Sequence, residues 1–238
     1  MENDNRERLV KFLSSAGAAS RRAAGELVKS GRVTVNGRVV LEPGTRLAPG
    51  DQVTLDGTPV RPPESRLYIM LHKPRGYVCT NSDPHAEHKA VDLIRLDPPV
   101  RLFSAGRLDK ESEGLILFSN DGAYVEELTH PRHEILKQYH VRLTRDLSAA
   151  ELERIRTGIA DDGDILRVRA IDRIGPACYR ITLNEGKKRE IRRITAAVGA
   201  PTLQLKRVRV GSLELGSLPP GQWRMLTPEE VTLSLKRN

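Results

Sequence analysis

The stretch Ala105 to Gly122, AGRLDKESEGLILFSNDG, runs from a charged loop rimmed by glycines into a wholly apolar segment. That order suits a carboxylate held at the mouth of a cleft backed by a sheet. Asp109 lies between Arg107 and Lys110, whose charges favour the ionised form that a nucleophile or general base must have. A solvated turn aspartate would have the same local composition, so Asp109 stands out only beside a second feature. From Ala177 to Val210, nine bases (Arg180, Lys187, Lys188, Arg189, Arg192, Arg193, Lys206, Arg207 and Arg209) meet only two acids, Glu185 and Glu190. Interleaved with apolar residues, such a run needs a polyanion or water to screen it, which points to phosphate.

Other chemistries find less support. His85 and His88, three apart, lack a third metal ligand. His130 and His133 share that spacing before a strand, where a structural role or an RNA contact is expected. Asp161-Asp-Gly-Asp164 lacks the rest of a calcium loop, including its closing Glu, and reads as a plain loop. Asn81 to Pro84 has turn composition. Cys79 and Cys178 have no CxxC partner and read as inert thiols. No phosphate-cradling glycine loop is present, which disfavours nucleotide hydrolysis. No metal is expected.

Composition sets the outer bounds. The chain has 238 residues, 38% hydrophobic and 29% charged, enough for one large or two small folded domains. Its formal net charge is +8, which calls for an anionic partner. No apolar run reaches the ~18 residues of a membrane span, and the start MENDNRERLV lacks the layout of a signal peptide, so a cytoplasmic location is expected.

The elements that must carry these residues can be read in outline. Leu9, Phe12 and Leu13 have helical spacing ended by Gly17, and Ser20 caps a second helix that runs through Lys29 and closes at Gly31. Val33 to Val40 turns at Asn36-Gly37, a type I′ hairpin signal, and a third strand spans Gln52 to Leu55. Arg21 and Arg22 fall in the first turn of the second helix, against its dipole, and so call for an anion. The stretch Pro59 to Arg66 reads as a semi-rigid linker. Domains are therefore set at 1–60 and 67–238, with 61–66 between them. The second domain shows strands near Leu67 to Leu71, Leu115 to Ser119, Lys137 to Leu143, Ile165 to Ile171 and Cys178 to Leu183. Ser148 and Glu151 form a capping box for a helix with Leu152, Ile155 and Ile159 as its stripe, and a second helix spans Glu190 to Val198 with Gly199 as its stop. Trp223 is expected to pack against the sheet. The fold class is α+β with a mainly antiparallel, mixed sheet.

Gly106-Arg-Leu-Asp109, followed by Ser112 and Gly114-Leu115, resembles the catalytic motif of pseudouridine synthases, in the branch that modifies ribosomal RNA at single sites. Three further segments are similar to that family in the expected order: Leu71-His-Lys-Pro-Arg-Gly-Tyr-Val-Cys-Thr80, Lys137-Gln-Tyr-His-Val141 and Leu183 to Arg193. The front module resembles the S4 RNA-binding domain in Arg8-Leu9 through Leu13, Ala19-Ser-Arg-Arg22 and Gly31 to Gly37. The resemblance covers nearly the whole chain. Asp83-Pro84, Thr129-His-Pro-Arg132 and the S4-like front end together look most like the large-subunit enzyme B group. The sequence departs from the common pattern at Glu190, where Gln is usual, at Ile194, where Met is frequent, and at Gln138, where Thr is common.

The resemblance implies isomerisation of uridine to pseudouridine in ribosomal RNA, with 23S expected and 16S the alternative, and no cofactor. It makes Asp109 the catalytic carboxylate, acting at ribose C1′ or in forming a glycal. Tyr139 would stack on the base and move a proton, and Arg192 would pair with the aspartate. Lys73, Arg75, Arg107, Lys187, Lys188, Arg189 and Arg193 are expected to bind RNA around a flipped nucleotide, and Arg21 and Arg22 to bind it from the S4-like module. The expected partner is ribosomal RNA or an assembling ribosomal particle, met by a monomer. A non-catalytic ribosome assembly factor using the same basic surfaces is the competing reading.

Overall fold

In the computed structural model, which describes residues 6–63, 65–80 and 87–237, contacts divide the chain into two compact units. The first runs to Arg66 and includes 97–101 and 120–122; the second holds the remainder. The turn expected at Asn81 to Pro84, the Asp83-Pro84 pair and His85 fall outside the described residues.

The first unit packs helices α1 (Leu9–Ser15) and α2 (Arg21–Lys29) on four strands, β1 (Val33–Val35), β2 (Arg38–Val39), β3 (Val53–Leu55) and β4 (Thr58–Val60). Ser20 Oγ accepts the Ala23 N–H at 3.2 Å, as a helix N-cap should. Asn36 (φ 51°) and Gly37 (φ 76°) make the expected I′ turn, and Asp56 (φ 49°) with Gly57 (φ 79°) repeats it. The strand order is β2-β1-β3-β4, all antiparallel. Leu9, Leu13, Ala24, Val28, Val33 and Val53 form the core. The second turn corrects the linker reading: Pro59 and Val60 belong to β4. A proline is tolerated there because β4 is an edge strand that lacks a second neighbour for its missing N–H.

The second unit is built on β5 (Tyr68–Lys73), β6 (Phe103–Ala105), β7 (Glu113–Ser119), β8 (Lys137–Leu143), β11 (Ala170–Gly175), β12 (Cys178–Leu183), β13 (Thr202–Val210), β14 (Leu213–Glu214) and β15 (Trp223–Met225). A separate ribbon, β9 (Ile159–Asp161) with β10 (Asp164–Leu166), lies outside that sheet. The main order is β11-β12-β8-β13-β7-β5-β15, with β14 on β13 and β6 on β7. All pairings are antiparallel except β13 with β7. Helices α4 (Ala149–Thr157) and α5 (Glu190–Ala197) cover one face through Ile155, Ile191 and Ile194. Helices α3 (Gly122–Thr129) and α6 (Pro228–Ser234) cover the other, with Tyr124 and Leu128 against Met70, Leu115 and Leu117. Covered on both faces, β5 and β7 are buried along all but their first residue, with apolar runs at Ile69 to Leu71 and Leu115 to Phe118. One-faced β8 instead alternates buried Tyr139, Val141 and Leu143 with exposed His140 and Arg142.

Three sequence expectations change here. Ile165 to Ile171 is two strands, β10 and β11, in different sheets. Gly158 (φ 111°) ends α4, so Ile159 enters β9 and does not continue the helical stripe. The segment 202–210, read only as part of a basic run, is a central strand in which Leu205, Arg207 and Val210 are buried.

The parallel junction sets the register of the whole unit. Gly114 of β7 lies opposite Arg207 of β13 with φ 114°, and a Cβ built on it falls inside the Arg207 backbone. Gly114→Ala should therefore cost about 3 kcal/mol or more, from overpacking and from a side chain at positive φ. The midpoint of thermal unfolding should fall by roughly 10 °C. Gly122→Ala, with open space around its Cα, should leave it unchanged, and equal midpoints for the two variants would contradict the close approach.

Candidate active site

Asp109 stands on the loop between β6 and β7, at the wall of a cavity of about 510 Å³ that Tyr139, Leu183, Glu190, Ile191 and Leu205 also line. The loop starts at Gly106 (φ 81°) and is anchored by Leu108, whose side chain is buried and whose N–H meets Cys79 Sγ at 3.4 Å. Its carbonyls are held in turn. That of Asp109 accepts Ser112 N–H at 3.0 Å, and that of Lys110 accepts Gly76 N–H at 2.8 Å. Glu111 and Ser112 take a guanidinium nitrogen of Arg192, the first at its carbonyl (3.3 Å) and the second at its hydroxyl (3.4 Å). The Ser112 carbonyl takes Lys73 Nζ at 2.6 Å. The loop is thus fixed through its backbone, while no described residue hydrogen-bonds or ion-pairs with the Asp109 carboxylate.

The expected pairing of Arg192 with Asp109 is not found. Arg192 lies across the loop backbone and the Thr202 carbonyl (3.4 Å), and its Nε is buried without a partner. Burial and then Arg189 push its pKa below the ordinary value, while Glu111 and Asp109 act in the opposite sense, so the aspartate reaches it as a field. The reason is geometric: α5 brings Arg192 over Glu111 and Ser112, beyond Asp109 in the chain.

Lys73 also changes role. It is completely buried, and its ammonium is spent on the Ser112 and Pro74 carbonyls, so no atom of it is open to a phosphate. Burial lowers its pKa, against the fields of Cys79 and Asp109. Cys79 beside it is half-buried, and that burial pushes its thiol pKa up, towards the neutral form. Strand register sets Lys73, Gly114, Arg207, Tyr139 and Ile181 in one row across β5, β7, β13, β8 and β12. Tyr139 is 7% exposed, with its ring in the apolar core and at the cavity wall.

Among the cations expected at the surface, Arg193 is tied down, with Nη1 on Asp164 at 2.9 Å and Nη2 on the Asp161 carbonyl at 2.7 Å. Lys187 sits against Asp164 (3.5 Å) and the Ile165 carbonyl (3.0 Å). Both clamp the β9–β10 ribbon, and this accounts for the acidic 161–164 turn without a metal. Arg189 is exposed and paired with Glu111 at 3.0 Å. Arg75, Arg107 and Lys188 are exposed, and no ion pair is found for them among the described residues; Arg21 and Arg22 on α2 are likewise exposed and unpaired. No group of three His, Cys, Asp or Glu residues suited to a metal occurs among the described residues, and no described helix is long and apolar enough to cross a membrane.

Sequence reasoning missed Gly114 and Arg207 as a structural pair and the burial of Glu190. The first was hidden because β13 went unread; the second has no local signal, since a charged residue at a helix start ordinarily faces water.

Comparison with known proteins places this geometry. Residues 67–197 match a family model described as RNA pseudouridylate synthase, and residues 7–53 match the S4 domain. An uncharacterized RNA pseudouridine synthase of Aquifex aeolicus is 40% identical, over 97% of this chain and 96% of its own. The ribosomal small subunit pseudouridine synthase A of Escherichia coli is 37% identical, over 94% of this chain and 98% of its own. A crystal structure of a pseudouridylate synthase superposes with a TM-score of 0.71 at 26% identity, covering 95% of this chain and 99% of that one.

Lys73→Met should leave two interior carbonyls without their donor, which outweighs the relief of a buried charge and costs about 2 kcal/mol. Thermal unfolding should shift down by roughly 5 °C, with no shift for Lys188→Ala. An unchanged midpoint for Lys73→Met would show that Lys73 does not support the loop.

Proposed function

Because the chain belongs to the RNA pseudouridylate synthase family and is an RNA pseudouridine synthase, we propose that it acts at defined uridines of ribosomal RNA, with the Asp109 carboxylate as the reacting group. The observation that supports Asp109 is its loop, held by Lys73, Gly76 and Arg192 through main-chain carbonyls while the carboxylate stays free in a cavity. A preorganised backbone with an unspent side chain is what a nucleophile or base requires.

The target nucleotide must leave its stack to enter such a cavity. Asp109 then forms a bond to C1′ as the C1′–N1 bond breaks, the electron pair leaving with uracil. The base turns, C5 bonds to C1′ as the carboxylate departs, and the C5 proton is lost. In the alternative route the carboxylate removes the C2′ proton as the base leaves, giving a glycal. Tyr139 supports either route by stacking on the base, and its hydroxyl, with no partner among the described residues, is open to proton transfer. Arg75, Arg107 and Lys188 supply phosphate contacts near the cavity, while Lys73 and Arg193 serve the framework. Residues 1–60 form the gripping module through Arg21 and Arg22, residues 67–238 carry out catalysis, and the enzyme acts as a monomer.

For the target, similarity to the small-subunit enzyme over nearly the full length of both chains supports 16S RNA. The large-subunit reading retains the Thr129 to Arg132 segment and the S4 module; Asp83-Pro84, its third support, lies outside the described residues.

Tritium release from C5-labelled 16S and 23S transcripts tests the proposal. Wild type should release tritium from one of them. Asp109→Asn should lose roughly a thousandfold or more in kcat while RNA affinity stays within about threefold. Release by Asp109→Asn at the wild-type rate would remove Asp109 from the chemistry. In RNA binding, Lys188→Ala should lower the slope of log K against log salt by about 1, and Arg193→Ala should not; equal slopes would overturn the division between free and framework cations.

A further inference from the structure

The cavity holds a second carboxyl group that the reaction above does not use. Glu190, the first residue of α5, is 3% exposed and lines the cavity with Asp109 and Tyr139. Its Oε2 accepts the Lys187 N–H at 3.0 Å, while its Oε1 is closed to solvent and has no hydrogen-bond partner. Nearby charged groups do not supply one. Lys187 is spent on Asp164 and the Ile165 carbonyl, and Arg193 on Asp161 and Asp164. Glu185 of the preceding loop is a like charge. Arg189 pairs with Glu111, and Arg192 lies on the Glu111 carbonyl. Across the cavity stand Asp109, Arg107, Lys110 and the neutral Cys79. A buried carboxyl with one oxygen unmet is costly unless something else meets it, and the cavity is where a partner can arrive.

We propose that Glu190 contacts the target base, its unpartnered Oε1 carrying a proton that it donates to a carbonyl oxygen of uracil. The inference rests on the proposed reaction and deepens it. Burial, acting first, and the Glu185 charge push the Glu190 pKa up, against Lys187 and Arg193, which favours the protonated form in this position. Uracil chemistry suits a single donor. A half turn about the N3–C6 axis exchanges N1 with C5, and O2 with O4. A donor aimed at a carbonyl therefore finds an oxygen in the same place before and after the base turns. Both oxygens carry negative charge while the base is detached, so the contact strengthens at the point where the barrier lies. The amide of Gln, usual at this position in the family the chain resembles, offers the same donor without a titration.

The sign follows from the neutral form being the active one. Turnover that depends on it is full below the raised pKa and falls as pH rises through it. Tritium release from C5-uridine-labelled 16S and 23S transcripts, from pH about 5 to about 9, tests this with wild type, Glu190→Gln and Glu190→Leu, each checked by thermal unfolding. Wild-type kcat should decline with pH, and Glu190→Gln should stay flat over the same range. Glu190→Leu should lose about tenfold or more in kcat with KM for RNA within about twofold. A Glu190→Gln profile that declines as wild type does, or full kcat in Glu190→Leu, would overturn the role of Glu190 and leave Asp109 in place. If Glu190→Leu does not fold, the comparison of wild type with Glu190→Gln carries the test: coincident profiles and rates overturn the inference. Wild type releasing no tritium from either RNA would remove the substrate reading and this inference with it, a result distinct from failure at Glu190 alone.

Discussion

The close approach of Gly114 and Arg207 is the constraint on which the catalytic unit depends. Among the described strands it is the one parallel pairing, and it joins two otherwise antiparallel sets, β11-β12-β8-β13 on one side and β7-β5-β15 on the other. Asp109 enters the site from the loop that leads into β7, Tyr139 stands on β8 beside β13, and Arg192 stands on α5, which leads into β13. Shifting the junction by one residue would turn every side chain of one half to the opposite face. A missing side chain at Gly114 is thus what lets three separate motifs converge.

Within that frame the cations divide by burial. Lys73 and Arg207 are enclosed and satisfy main-chain carbonyls, of Ser112 and Leu115 respectively. Arg193 and Lys187, half-buried, hold the acidic ribbon. Arg75, Arg107 and Lys188 are left facing water with no protein counter-ion among the described residues. An enclosed cation spends its charge on the interior and has no atom within reach of RNA; an exposed, unpaired one costs little in the free protein and gains by releasing counter-ions from a phosphate. Net charge alone therefore overstates the RNA-facing surface, and the hydrogen-bond partners show which part of it is available.

What could be read from the sequence follows the same physics. The capping box at Ser148, the Asn36-Gly37 turn and the Ile191, Ile194, Val198 face are local, and each appears where expected. The alternation in β8 was legible because one face meets water. In β13 the same alternation was masked, since Arg207 points inward and half-buried Lys206 and Arg209 flank it, so a central strand read as a surface charge run. Likewise Lys73 carries the residue type of an RNA contact, and only the tertiary fold encloses it. Asp109 and Tyr139, named from separate motifs, line one cavity; the geometry of Arg192 was not legible, because its partners include main-chain carbonyls that have no sequence signature.

Two carboxyl groups in one cavity can divide a reaction only if their surroundings differ, and here they differ in kind. Asp109 stands on a loop whose carbonyls at 109–112 are all bonded and whose carboxylate is not, beside exposed Arg107 and Lys110. Glu190 is enclosed at the start of a helix, with one oxygen bonded to a backbone N–H and the other unmet. The first environment suits a negative group that meets a sugar carbon. The second suits a neutral group that hydrogen-bonds a polar edge. The proposed reaction uses both: a carboxylate at C1′, and a donor that can keep hold of the base while its bond to the sugar moves from nitrogen to carbon. Arg192 links the two, since it stands on the helix that Glu190 begins and bonds the loop that carries Asp109.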